Sequence, residues 1–400
     1  MLTVISFLSA LALLVYSPAP LLASNSLFLA SLALLGGLIV LVVSPLISSL
    51  LMSPLQRLEQ ELVPNLMEIF RKDKPLRFSY FYLYLFSFIS ILISLALVLM
   101  SPSFQLPLLA FWLVAFGGAL DLMHYYIRRA TQFLDPFHLV DIFTQNTKKA
   151  IQNGKDANFL NSLESLSEVA LRTIEQSKLA LTTQVLDAFP PILNNFFSSL
   201  KNIGHINVDK TLEKETGRDE ASYTVFYLLQ RLSNINQRAL KYHLETVCSR
   251  IIMILGKIIV YSAKFDLSMV TFPAHVLGQF ALKALQHHMN EVGTLGTSTL
   301  LEVTRTIIAE VDLTYAELQE PFNTIANNLQ VITQEIFKND KTINLKILTQ
   351  PLRDFKALFQ SEKMAQHRDT PAIIQNVDGI LSEFDALEQV MRAIPPIPTL

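Results

Sequence analysis

From Met1 to Ser53 the chain carries no Asp, Glu, Lys or Arg. Within that stretch Leu27 to Met52 is a continuous uncharged run, longer than the roughly 20 residues a helix needs to cross a bilayer. Phe78 to Met100 repeats the pattern, and so does Phe104 to Leu120, which ends at Asp121. Met1 to Tyr16 is a shorter apolar run before Ser17-Pro18-Ala19-Pro20. The pattern predicts a transmembrane region over 1–125 with spans at 1–16, 27–50, 78–100 and 104–123. A cleaved signal peptide is the alternative for the first of these. It fits less well, because there is no basic segment ahead of the apolar run and Leu21-Leu22-Ala23 is a poor cleavage site.

Between the second and third spans the period changes. Leu55, Leu58, Leu62, Leu66 and Ile69 lie three or four residues apart, which predicts an amphipathic helix within a cytoplasmic loop over 53–77, interrupted or restarted at Pro64. Such a helix would lie along the inner leaflet or pack on the soluble part of the chain. Beyond residue 126 helical periodicity continues almost to the end. It predicts helices over 160–188, 223–265, 273–290, 299–338 and 373–394, with breaks inside the longer ones. Asp135-Pro136 reads as a helix start, and Gly204, Gly217, Gly293 and Gly296 read as loop markers. No segment alternates like a strand. The predicted fold is all-α: a four-helix transmembrane region followed by a helical, internally duplicated cytoplasmic domain.

The duplication rests on ordered matches about sixty residues long. Pro136-Phe137-His138 pairs with Pro273-Ala274-His275, and Lys149-Ala150-Ile151-Gln152 with Lys283-Ala284-Leu285-Gln286. Arg172-Thr173-Ile174 pairs with Arg305-Thr306-Ile307, and Asn194-Asn195 with Asn327-Asn328. These matches divide the soluble part into repeats over 126–262 and 263–394, leaving a Pro-rich tail at 395–400. A finer unit, linking Leu160-Asn161 to Leu229-Gln230, is the weaker pattern.

Charge supplies the topology. Arg71, Lys72, Lys74 and Arg77 lie between the second and third spans with Arg57, and Arg128 and Arg129 follow the fourth. The other two connections carry no basic residue, so the positive-inside rule places the middle loop and the whole C-terminal part in the cytoplasm. The expected location is therefore the cytoplasmic (inner) membrane. Arg71, Lys72, Lys74, Arg77, Arg128 and Arg129 are the candidate contacts to inner-leaflet lipid. Tyr80, Tyr82 and Tyr84 suit an interfacial aromatic belt. Overall the 32 basic and 34 acidic side chains nearly cancel, which gives no electrostatic reason to expect nucleic acid. A single cysteine, Cys248, excludes an internal disulfide framework and a Cys-rich zinc site.

Ala33, Gly37, Ser44 and Ser48 share one face of the second span with Ala30. Small residues there mean either close helix packing or a weakly polar pore lining. Ala110, Val114, Gly118 and Asp121 form a second such stripe. No ionisable residue lies mid-membrane, which argues against a proton relay. Elsewhere, His287 and His288 with Glu291, and Asp135 with His138 and Asp141, have metal-like spacing but too few ligands. The run Gly293-Thr294-Leu295-Gly296-Thr297-Ser298-Thr299 reads as a loop, without the Gly-Lys-Ser/Thr ending of a phosphate loop. No catalytic constellation assembles and no cofactor is implied.

The order of features resembles an uncharacterised family of bacterial membrane proteins. The residues that carry the likeness are Pro64, Phe70-Arg71-Lys72-Asp73-Lys74, Met123-His124-Tyr125-Tyr126-Ile127 and Phe265-Asp266-Leu267 through Ala284-Leu285. The family has four N-terminal spans and a helical cytoplasmic region, so the resemblance implies that topology and no known activity. This chain departs from it at Gln286 to Glu291, where the family has a Ser-Pro-Gly-x-Asn-Asp-Pro turn. The functional expectation is a non-enzymatic membrane protein whose cytoplasmic domain self-associates as a homo-oligomer or binds a protein partner. The alternative is an oligomeric channel lined by the second span.

Overall fold

The computed structural model describes residues 2–16, 26–152, 156–203 and 210–393. Among them every regular element is helical and there is no strand. The chain forms two compact units, Met1–Leu139 and Val140–Leu400.

The first unit contains α1 (Leu2–Tyr16), α2 (Ser26–Glu61), α3 (Leu66–Lys72), α4 (Lys74–Leu99) and α5 (Pro102–Gln132). Helix α4 packs between α2 and α5, and α1 lies along α5. Val40, Leu83, Phe86, Ile93, Leu97, Leu109 and Trp112 fill the interior, while Leu27, Phe28, Leu35, Phe88 and Leu95 point outward. An apolar interior inside an apolar exterior suits a bundle surrounded by lipid. The connection expected over 53–77 is largely helical. Helix α2 runs on through Pro45 and Pro54 to Glu61, and the reversal comes at Asn65, with φ 61°. Leu55, Leu62 and Leu66 are at most 1% exposed, so this amphipathic stripe faces protein and not the leaflet.

Among the described residues four helices are long and apolar enough to cross a membrane: α2, α4, α5 and a later helix, α10 (Glu245–Phe265). Helix α1 has 15 residues, and so reaches only about 22 Å. Helix α10 differs from the other three in being 61% buried within the protein over its most apolar window. Its apolar surface is consumed by neighbouring helices, as for a core helix hydrophobic all round.

The unit boundary falls inside α6 (Pro136–Gln152). The second unit continues with α7 (Asp156–Glu175), α8 (Leu179–Ile203), α9 (Lys210–Lys241), α10, a short 3₁₀ turn (Leu267–Val270), α11 (Thr271–Gln286), α12 (Asn290–Glu310) and α13 (Gln319–Asn339). It closes with α14 (Leu345–Leu348), α15 (Gln350–Phe359), α16 (Glu362–Ala365) and α17 (Thr370–Ala393). These stack as helical hairpins in two layers. Helices α7, α9, α11, α13 and α17 form one layer, and α8, α10, α12 and α15 the other. Each lies beside its hairpin partner and beside the next helix of its own layer, the arrangement of an α-solenoid.

Three hairpins turn in the same way. Ser177, His243 and His288 each adopt a left-handed conformation, with φ 56°, 50° and 60°. At each turn the left-handed N–H donates to the carbonyl three residues back (Ile174, Leu240, Leu285). The next N–H donates five residues back, to Thr173, Ala239 and Ala284. This is a Schellman closure, which satisfies carbonyls orphaned at the helix end. Ion pairs join stacked neighbours within a layer: Arg231 to Glu164 at 2.8 Å, Arg238 to Glu175 at 2.9 Å, and Lys264 to Glu310 at 2.6 Å. Arg250 binds Asp187 through two hydrogen bonds of 2.5 and 2.6 Å.

The structure corrects one reading of the soluble part. Gly217 lies inside α9, and Gly293 and Gly296 lie inside α12. A Cβ on Gly293 or Gly296 would collide with Leu285 or Ala281 of α11, so these glycines permit close helix approach and mark no loop. The hairpin is the unit that recurs in the structure, and the expected division at 262/263 falls within α10. The matched segments around Arg172 and Arg305 fall on α7 and α12, which belong to opposite layers. Asn328 is buried, donating to the Ala274 carbonyl at 3.3 Å, whereas its counterpart Asn195 is exposed. Gly204 and the tail at 395–400 lie outside the described residues.

Candidate functional site

The small-residue face of α2 is turned into its own bundle. Ala33 is fully buried, and its carbonyl accepts the Ser90 hydroxyl of α4 at 2.7 Å. Ser90 Oγ in turn accepts the Trp112 indole N–H of α5 at 2.6 Å. A Cβ on Gly37 would come within 2.7 Å of the Ser90 Cβ, so only glycine allows this approach. One turn towards the N-terminus, Ser94 donates to the Ala30 carbonyl at 2.7 Å. Ser44 is buried, and Ser48 exchanges a hydrogen bond with Tyr126 at 2.8 Å. Within one chain Ala33 and Gly37 pack on α4, and Ser48 reaches α5. The stripe on α5 divides: Ala110 is buried, a Cβ on Gly118 would meet open space, and Asp121 binds the start of α1. Asp121 accepts Thr3 N–H at 2.9 Å and Leu2 N–H at 3.1 Å, as well as the Thr3 hydroxyl, so it caps a helix.

The six candidate lipid-contact cations gather at one end of the first unit. Arg129 reaches Asp73 at 3.1 Å and lies over the Phe133 ring, tying the end of α5 to the α3–α4 junction. Asp73 also caps α4 by accepting Leu76 N–H at 3.0 Å. Lys72 pairs with Glu68 at 2.5 Å on the same helix, and this pairing holds the Glu68 carboxyl below its ordinary value. Arg71, Lys74, Arg77 and Arg128 are exposed and make no ion pair among the described residues. The placement of charge along the sequence singled out these six residues but not the division of labour among them.

On the second unit, aromatic side chains that sequence reading passed over form an exposed patch. Tyr223, Phe226 and Phe272 are 57%, 52% and 43% exposed. Phe226 of α9 stacks on Phe272 of α11 with centroids 5.5 Å apart, and Tyr223 faces Tyr227 at 6.5 Å. Arg231 lies over the Tyr227 ring at 4.9 Å while bound to Glu164. The available signal was three aromatic residues off the apolar stripe of their helices, a pattern that shared apolar spacing conceals.

The chemically suggestive residues do not converge. Among the described residues no three His, Cys, Asp or Glu side chains have an arrangement suited to a metal ion. His287 faces His243 across adjacent hairpin turns, with ring centroids 6.0 Å apart. Asp135 accepts Phe137 N–H at 3.0 Å and so begins α6. Cys248 is 1% exposed, and burial pushes its thiol up to about 12, which keeps it protonated and unreactive at neutral pH.

No family model matches the chain, and no curated protein does. One solved structure is similar over 94% of this chain and 99% of its own, with 14% identity and a TM-score of 0.33. It is described as a circular tandem repeat protein with novel repeat topology and enhanced subunit contact surfaces. The likeness is confined to helical character.

Proposed function

We propose that this protein is a non-catalytic, membrane-anchored scaffold whose helical-hairpin stack docks another protein or a second copy of itself in the cytoplasm. The observation that carries the reading is the exposed ladder Tyr223–Phe226–Phe272 on the α9–α11 face. Large aromatic groups are costly to leave in water and are enriched where protein surfaces meet. Stacked hairpins offer such groups a rigid, extended platform. The bundle of the first unit, apolar outside, supplies the anchor. A pore lined by Ala33, Gly37, Ser44 and Ser48 would require α2 to abandon its hydrogen-bonded contacts with α4 and α5, so the channel reading is the weaker one.

The test is a photo-crosslinking amino acid at position 226 of the full-length protein in cells. A discrete adduct with a second copy or one partner is expected, and it should be lost in the Tyr223→Ser/Phe272→Ser variant. Absence of an adduct, or the same adduct in that variant, would count against the reading.

A further inference from the structure

The first turns of α4 carry a surface groove lined by Lys74, Arg77, Phe78, Tyr80, Phe81 and Tyr84. Its charge is one-sided. No carboxylate lines it, and the nearest acidic residues in the chain, Glu68 and Asp73, are engaged with Lys72 and Arg129. Lys74 and Arg77 are left as unneutralised cations at the charged end of an otherwise apolar helix. Beyond them Phe78 and Phe81 are 62% and 65% exposed. Beside these rings the Tyr80 and Tyr84 hydroxyls bond each other at 2.8 Å. One O–H is consumed in that bond, so the pair retains one hydrogen to donate outward.

The cations come first along the helix axis, and the rings and hydroxyls follow interleaved. At 1.5 Å per residue, Phe78 and Tyr80 lie about 6 and 9 Å beyond Lys74, and Tyr84 about 15 Å. A cationic mouth followed over about the next 6–15 Å by interleaved bare rings and a hydroxyl donor suits a phosphate with ester carbonyls and acyl chain behind it. A soluble anion would use the cations alone and leave the rest idle.

We propose that this groove is a binding site for an anionic phospholipid of the surrounding bilayer. Lys74 and Arg77 hold the phosphate, the tyrosine pair donates to an ester carbonyl, and Phe78 and Phe81 bear on the acyl chain. The inference rests on the first unit spanning a membrane. It goes beyond general attraction to an acidic leaflet, because it locates the preference at two of the exposed cations.

The experiment reconstitutes full-length protein in phosphatidylcholine bilayers containing phosphatidylglycerol. Spin-labelled phosphatidylglycerol and spin-labelled phosphatidylcholine then report the immobilised lipid fraction. The wild type should hold the anionic label severalfold more strongly, the direction set by basic side chains near a surface. Lys74→Gln/Arg77→Gln should abolish that preference, and Arg71→Gln/Arg128→Gln, which removes equal charge outside the groove, should largely preserve it. Equal loss in both double variants, or no preference in the wild type, overturns the site while leaving the anchor intact. A chain extracted from membranes by alkaline carbonate overturns the anchor and the site together.

Discussion

Ser90 holds three helices with one oxygen. Its hydroxyl donates to the Ala33 carbonyl of α2 and accepts the Trp112 N–H of α5, and Gly37 leaves room for both bonds. In an apolar surrounding each of these groups has no alternative partner, so removing the oxygen strands an indole N–H and leaves a carbonyl short of one bond. Ser90→Ala should lower stability by roughly 0.6–2 kcal/mol, the range for interhelical hydrogen bonds in membranes. Trp112 is the sole tryptophan of the chain, so its emission reports this contact directly. The variant should melt earlier in detergent and show a shifted emission maximum; unchanged values for both would show the bond to be dispensable. The small-residue face of α2 was legible because Ala33, Gly37, Ser44 and Ser48 repeat at helical spacing. Ser90 and Trp112 were not, because partners 57 and 22 positions away leave no trace in local periodicity.

At the scale of elements, helix positions were readable and helix ends were not. Apolar stripes at period 3.6 located much of the helix in the second unit, but α6, α15 and most of α8 fell outside the expected ranges, and its three tight turns escaped notice. Their left-handed positions hold Ser177, His243 and His288, not the glycine or asparagine that announces such a turn. Glycine is spent inside α12 instead, where Gly293 and Gly296 let α11 come close. A side chain in the left-handed region costs about 1–2 kcal/mol. Part of that cost returns when glycine, with its greater freedom in the unfolded chain, replaces it. Ser177→Gly should therefore stabilise the protein by about 0.5–1 kcal/mol. His243→Gly should gain less, because it also loses the ring contact with His287. Chemical denaturation of each variant measures this, and destabilisation by Ser177→Gly would mean that the turn depends on its side chain. The same reasoning explains why the sixty-residue matches join helices of different layers. Similar amphipathic helices align whichever layer they occupy, and layer is decided by turns.

Across the whole second unit, nearly all packing is between neighbours in the stack. Stability in such an array is close to a sum of hairpin and interface contributions, with the interior hairpins supported on both sides. Helix α10 is flanked in its layer by α8 and α12 and backed by α9 and α11, whereas α17 closes one end of its layer. Hydrogen exchange should thus be slowest in α10 and progressively faster towards α17, whose outward Leu387 and Val390 are 38% and 59% exposed. Uniform protection along the stack would indicate a single cooperative block. The apolar richness of α10 has the same origin as this gradient: a helix enclosed by four others needs little polar surface.

Helix α2 carries a mechanical implication. Its 36 residues form one rod about 54 Å long, against a hydrocarbon core of about 30 Å. In a bilayer roughly 24 Å of it would project beyond that core, as a helix that runs on past Pro45 and Pro54. Spans adjust to bilayer thickness mainly by tilting. A tilt of about 10° would therefore swing the far end of the rod sideways by about 4 Å. Stretching or thickening the bilayer becomes a displacement at Glu61, with the helix acting as a lever and the membrane surface as its fulcrum.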